Sequence, residues 1–208
     1  MDRKIYDEWL DGLANGKHSL RLDEYKKISD VKNDLKKQVT VLSKSEKEIL
    51  TRYTGNLAMQ MNFALNTGRE RKFKKEIELL DKTLLKGVIN DSITVYRKAD
   101  AINYIKGTNA SLDELKQLVG QTIIEKGYTS TSFNYFDNIN LLGRNMYIEF
   151  VVPKGYKGAL YLKPLAYKMF KNQDELLFKR GLCYNVIEAE EKDGCFYIKA
   201  EVIKNDWS

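Results

Sequence analysis

The sequence has no long apolar run, its uncharged hydrophobic stretches falling far short of the roughly 20 residues a membrane-spanning helix needs. No transmembrane segment is expected. The first residues, Met1-Asp2-Arg3-Lys4-Ile5-Tyr6, carry charge with no apolar h-region behind them, so no export signal is visible. Another delivery route, or a mature or excised form, is the expectation. The chain has one histidine, His18, in a polar N-terminal stretch. That scarcity removes most metal sites and every Ser-His or Cys-His mechanism, and no metal is expected. The two cysteines, Cys183 and Cys195, fall in what reads as a C-terminal hairpin turning at Glu191-Lys192-Asp193-Gly194. Folding that hairpin sets Cys195 opposite about Glu190 and Cys183 near Ile203, too far apart for a bridge, so both are expected as free thiols. Internal repeats and low-complexity linkers are missing as well. Any chemistry must therefore run on carboxylates, hydroxyls, amides and arginine.

What is present fits one folded unit. A chain of 208 residues with 43% hydrophobic content can bury a core unaided, and residues 1–208 are expected as a single domain. The net charge is +6, from 35 basic and 29 acidic residues, with the two signs interspersed. Such a surface is a solvated one, a poor indicator of nucleic-acid binding. Residues 1–42 read as short helices, with Trp9, Leu10 and Leu13 as one apolar stripe. Ser43 to Glu48 offers overlapping capping boxes. Ile49, Leu50, Tyr53, Leu57, Met61 and Leu65 then share one helical face up to Gly68. Phe73, Ile77, Leu80 and Leu84 repeat the pattern up to Gly87. After Asn90-Asp91 the pattern turns to strands: Ile93 to Tyr96, Thr122 to Ile124, Met146 to Val152, Ala159 to Leu162, Leu176 to Lys179 and the terminal hairpin. One helix intervenes, opened by the capping box Ser111 to Glu114. Helices first and strands later predict an α+β fold, with residues 1–42 packed on a core formed by 43–208.

Four features could carry chemistry. Arg97 follows the strand Ile93 to Tyr96, where a guanidinium could grip a phosphate through two parallel hydrogen bonds or simply remain a solvated charge. Gly127-Tyr128-Thr129-Ser130-Thr131-Ser132 sets hydroxyls in a strand, fit to orient a carboxylate or a ribose, or to form an ordinary strand edge. Gln173-Asp174-Glu175 leads into the apolar run Leu176-Leu177-Phe178, and period-two geometry puts Gln173 and Glu175 on one side. A carboxylate there could stabilise positive charge at an anomeric carbon while the amide aims a nucleophile. Tyr167 and Phe170 precede that pair in a loop after Pro164, placed either to meet a ligand or partner or to plug the core.

Taken in order, Tyr96-Arg97, the Ser130-Thr131-Ser132 strand and Gln173-Asp174-Glu175 resemble the arginine, Ser-Thr-Ser and Gln/Glu-x-Glu motifs of the bacterial ADP-ribosyltransferase exotoxins. The similarity is greatest to the clostridial Rho-modifying exoenzymes and the catalytic components of binary toxins, and it runs over most of the chain. It implies a mixed, mainly antiparallel two-sheet core and a secreted enzyme that acts in a host cytosol, moving ADP-ribose from NAD to a macromolecule. Arg97 and Arg144 would hold the pyrophosphate, and Tyr53 and Asn62 would line the groove, with Thr131 beside them. Ser130 would orient Glu175, the catalytic carboxylate. Gln173 would position an Asn/Gln-type acceptor, and Tyr167 and Phe170 would face the target, a host protein such as a small GTPase. NAD glycohydrolase activity would accompany transfer. Lys98 stands where relatives often carry glycine, and Leu141-Leu142 where some carry an aromatic, so nicotinamide stacking would fall to Phe133, Tyr135 or Phe136. A monomer is expected, with a transport component as a further candidate partner. Two alternatives stay open: a guanine-directed transferase, and a non-catalytic adaptor of the kind binary toxins carry.

Overall fold

A computed structural model describes residues 3–15, 21–105, 110–134, 144–192 and 194–204. His18, Tyr135, Phe136, Leu141, Leu142 and Asp193, with the side chains of Trp9 and Leu13, lie outside the described residues.

Among the described residues five α-helices come first: α1 (Arg3–Ala14), α2 (Leu22–Thr40), α3 (Lys44–Arg52), α4 (Ala58–Asn66) and α5 (Lys74–Leu84). Helix α3 starts where its sequence directs, since the Ser43 hydroxyl accepts the Glu46 N–H and the Glu46 carboxylate accepts the Ser43 N–H. The apolar pattern predicts an unbroken helix from there to Gly68. The structure bends it at Gly55, whose φ of −107° and ψ of −143° are non-helical, a departure that glycine makes at least cost. Beyond α5, Gly87 meets the sheet: a Cβ there would lie 1.8 Å from the Ala159 carbonyl oxygen, so no other residue fits.

The strands are β1 (Ile93–Ala99), β2 (Thr122–Ile124), β3 (Thr129–Ser132), β4 (Met146–Val152), β5 (Ala159–Tyr161), β6 (Glu175–Phe178), β7 (Cys183–Lys192) and β8 (Cys195–Val202), with the short helix α6 (Leu112–Lys116) before β2. They order as β2-β7-β8-β4-β1-β3-β6-β5, and among the described ladders only β4 and β8 run parallel. The α+β class expected from the sequence is the class observed. In place of two separate sheets, one ladder runs through the eight described strands. Its thinnest point is the single pair Tyr96–Ser132 between β1 and β3, whereas β1 pairs β4 along its whole length. In the terminal hairpin Cys195 faces Lys192 and not Glu190, because the turn is tighter than the sequence suggests. A bulge between Val186 and Glu188 then returns Cys183 to Ile203, whose N–H it accepts. The cysteines are unbridged.

Strand alternation divides the core in two. Leu176 and Phe178 join Val95, Ile148, Phe150 and Val186 on one side, while Leu177 joins Leu50, Tyr53, Met61, Leu80 and Leu84 from the helices on the other. Each such side chain, fully buried, contributes about 1.5–3 kcal/mol. Glu175 is two residues from Leu177 and so faces the helical side. Among the described residues no helix is long and apolar enough to cross a membrane.

Candidate active site

Beyond the Tyr96–Ser132 pair the β1–β3 ladder has no further pair, and Arg97 and Ser130 flank this gap in the pairing. Arg97 spans it, its Nη1 donating to the Ser130 carbonyl at 3.3 Å. From the same residue the Ser130 hydroxyl donates to Glu175 Oε1 at 2.5 Å. Ser132, in register with Glu175, donates to the Gln173 carbonyl at 2.7 Å and accepts the Asn134 N–H at 2.9 Å. Thr131 points to the opposite face and donates to the Leu176 carbonyl at 2.9 Å. The three hydroxyls thus divide by alternation: the outer two hold the Gln173–Glu175 segment, and the middle one ties β3 to β6.

Glu175 is 8% exposed. Burial pushes its carboxyl above the usual carboxylate value, against the Ser130 hydrogen bond and the Arg97 charge, which pull it down. Burial also works against the Arg97 charge, but Tyr104 and Glu125 outweigh it and hold the guanidinium protonated. Glu125 accepts hydrogen bonds from Tyr104 and Tyr184 at 2.9 and 3.0 Å. Arg97 Nε is buried and has no hydrogen-bond partner among the described residues. Arg144 is exposed and donates to the Lys98 carbonyl at 3.0 Å, which sets it at the same end of β1 as Arg97.

The other sequence candidates take different places. Tyr53 is fully buried, edge-on to Tyr128 with ring centres 5.5 Å apart. The Asn62 amide donates to the Tyr53 hydroxyl and the Tyr128 carbonyl and accepts the Tyr128 N–H, so it braces the start of β3. Gly127 permits that approach, since a Cβ there would meet Asn62 Oδ1 at 2.7 Å. Phe133 is 5% exposed, with Tyr161 at its edge and the Lys32 ammonium 5.1 Å from its ring centre. Thr131, Tyr53 and Phe133 are thus buried in this structure, each held by packing or a hydrogen bond.

Tyr167 is exposed and lies against Gly55, while Phe170 is half-buried. Gln173 is exposed at the end of a 3-10 turn, Lys168–Gln173, and Asp174 has a left-handed backbone with φ 50° and ψ 43°. Period-two alternation therefore does not relate Gln173 to Glu175: Gln173 ends the 3-10 turn, and the left-handed Asp174 stands between the two. The structure brings together Arg97, Ser130 and Glu175, with Arg144 at the strand end and Gln173 exposed two residues before Glu175. Ser132, Asp174 and the Tyr104–Glu125–Tyr184 set were not singled out from the sequence. Ser132 carried a signal in the hydroxyl run itself; a lone acid such as Glu125 carried none.

The ADP-ribosyltransferase exoenzyme family model matches residues 19–205. Plx2a, an ADP-ribosyltransferase toxin from Paenibacillus larvae, is 30% identical with a TM-score of 0.72, over 87% of this chain and 96% of that one. The C3 exoenzyme of Clostridium limosum is 27% identical with a TM-score of 0.71, over 85% and 94%. C3stau2 from S. aureus, solved with NAD, shares the fold at 24% identity and a TM-score of 0.73, over 91% and 98%. No curated protein matches. With nearly the whole chain inside the family model, the protein belongs to the ADP-ribosyltransferase exoenzyme family and is an NAD-dependent mono-ADP-ribosyltransferase, with NAD as its substrate.

Proposed function

We propose that the chain transfers ADP-ribose to an asparagine or glutamine side chain of a host protein, with Glu175 as catalytic carboxylate and Gln173 as the acceptor-positioning amide. The observation that carries this reading is the hydrogen bond from Ser130 to Glu175, made in the gap that Arg97 spans. The buried, unpartnered Arg97 Nε beside that gap suits the anionic diphosphate of NAD, and Arg144 supplies a second cation at the strand end. Glu175 then accepts the 2′-hydroxyl of the nicotinamide ribose and stabilises positive charge at C1′. That charge is greatest in the transition state, where the carboxylate lowers the barrier most. The C1′–N bond breaks, and nicotinamide leaves with its electron pair. The acceptor nitrogen attacks C1′ and releases its proton to the carboxylate. Water in place of the acceptor gives NAD hydrolysis.

An amide at position 173 supports an amide acceptor by its likeness to relatives, and the basic, apolar loop of Tyr167, Lys168, Met169 and Lys171 supports a protein partner. A small GTPase is the proposed target class, met in a host cytosol after secretion. Mass spectrometry of host proteins incubated with the enzyme and NAD tests this. Modification of an asparagine or glutamine in a small GTPase is the expected result; modification confined to arginine, or to guanine bases, would overturn it. Gln173→Ala should lose transfer and keep hydrolysis.

A further inference from the structure

Asp174 lies between the two residues just assigned, and it is 2% exposed. Its carboxylate is held by three donors: the Tyr161 hydroxyl, the Lys163 ammonium at 3.0 Å and the Lys32 ammonium. Lys32 belongs to α2, 142 positions earlier in the chain. Burial works against the Asp174 charge, but the Lys32 charge and the hydrogen bonds from Lys32, Tyr161 and Lys163 outweigh it and hold the carboxyl below its ordinary value. The same unit includes Phe133, whose N–H donates to the Asp174 carbonyl and whose ring lies beneath Lys32. The left-handed backbone of Asp174 turns the chain from the 3-10 turn into β6, in a conformation that aspartate tolerates better than most residues.

We propose that Asp174 is the positioning residue of this active site: it locks the turn between Gln173 and Glu175 and, through Lys32, makes helix α2 part of the active-site frame. The inference rests on the assignment of Glu175 and Gln173 above. The two flanking residues do not depend on Asp174 equally. Glu175 is also held by the Ser130 hydroxyl and by the β3–β6 ladder, whereas Gln173 is exposed and is fixed through its carbonyl by Ser132. Releasing Asp174 therefore displaces the acceptor-positioning amide more than the carboxylate. Transfer suffers before NAD cleavage does.

The test compares transfer to host protein with nicotinamide release in Asp174→Asn, Lys32→Met and Lys32→Arg, each normalised to folded protein. Asparagine keeps the size and the left-handed tolerance of Asp174 and removes only its charge; Lys32→Met cuts the link to α2 without touching the loop. Both should lower transfer by about 10-fold to 100-fold, the range a displaced reacting group costs, and leave hydrolysis within about twofold. Lys32→Arg should keep the wild-type ratio. A transfer-to-hydrolysis ratio unchanged in both Asp174→Asn and Lys32→Met would overturn the proposal. Glu175→Gln, measured in parallel, separates the two layers. Retained hydrolysis there would overturn the assignment of Glu175 and this inference with it, while its loss beside unchanged ratios would overturn this inference alone.

Discussion

The Ser130 hydroxyl donates to the Glu175 carboxylate across 2.5 Å, joining the middle of β3 to the first residue of β6. That bond opposes the larger effect of burial on how readily the carboxylate ionises. Burial raises its pKa, and the hydrogen bond and the Arg97 charge lower it again. Nicotinamide release should therefore climb with pH through a value above the ordinary carboxylate range and then level off, because the ionised form does the work. Ser130→Ala removes one downward influence. It should move this rise to higher pH and lower the plateau about tenfold or more, the worth of a charge-assisted hydrogen bond. A pH–rate profile checks this, and a rise that stays in place would contradict it.

Stability should run the other way from activity at the same residue. A carboxyl whose pKa is raised in the folded state binds its proton more tightly there than in the unfolded chain. Stability is therefore lost as pH rises from the ordinary carboxylate pKa through the raised one. Glu175→Gln cannot ionise and escapes that loss. Its melting temperature should exceed that of the wild type at neutral pH and match it in acid, as thermal denaturation at the two pH values would reveal.

Arg97→Lys should raise the KM for NAD by about 10-fold to 100-fold, since lysine keeps the charge and gives up the planar fork that grips a diphosphate. Arg144→Ala should cost less, because that side chain is exposed and solvent screens it. Steady-state kinetics of both variants test the ranking, and a larger effect at Arg144 would reverse the assignment.

The helices and strands were legible because their apolar spacing is regular: Met146 to Val152 was read to the residue, and Ser43 and Ser111 marked their helix starts. The arginine, the hydroxyl strand and the acid were legible as an ordered set, and folding does bring Arg97, Ser130 and Glu175 together. What escaped depends on contacts between distant segments. Gly55, where the helix breaks, lies against Tyr167, and Asp174, where the backbone turns left-handed, binds Lys32. The bracing role of Asn62 depends on a strand 66 residues away. None of these leaves a periodic trace. Asn62→Ala gives a test of that last contact: loss of its bonds to Tyr53 and Tyr128 should destabilise the fold by about 1–3 kcal/mol. An unchanged denaturation midpoint would show that Asn62 does not brace β3.

The most direct test of the account follows a label on the adenylate part of NAD into host-cell protein, with wild type and Glu175→Gln compared alongside calorimetric binding of NAD. The account predicts a labelled protein with the wild type, and no labelled protein and no nicotinamide release with Glu175→Gln, although that variant still binds NAD. Equal labelling by the two proteins would contradict it.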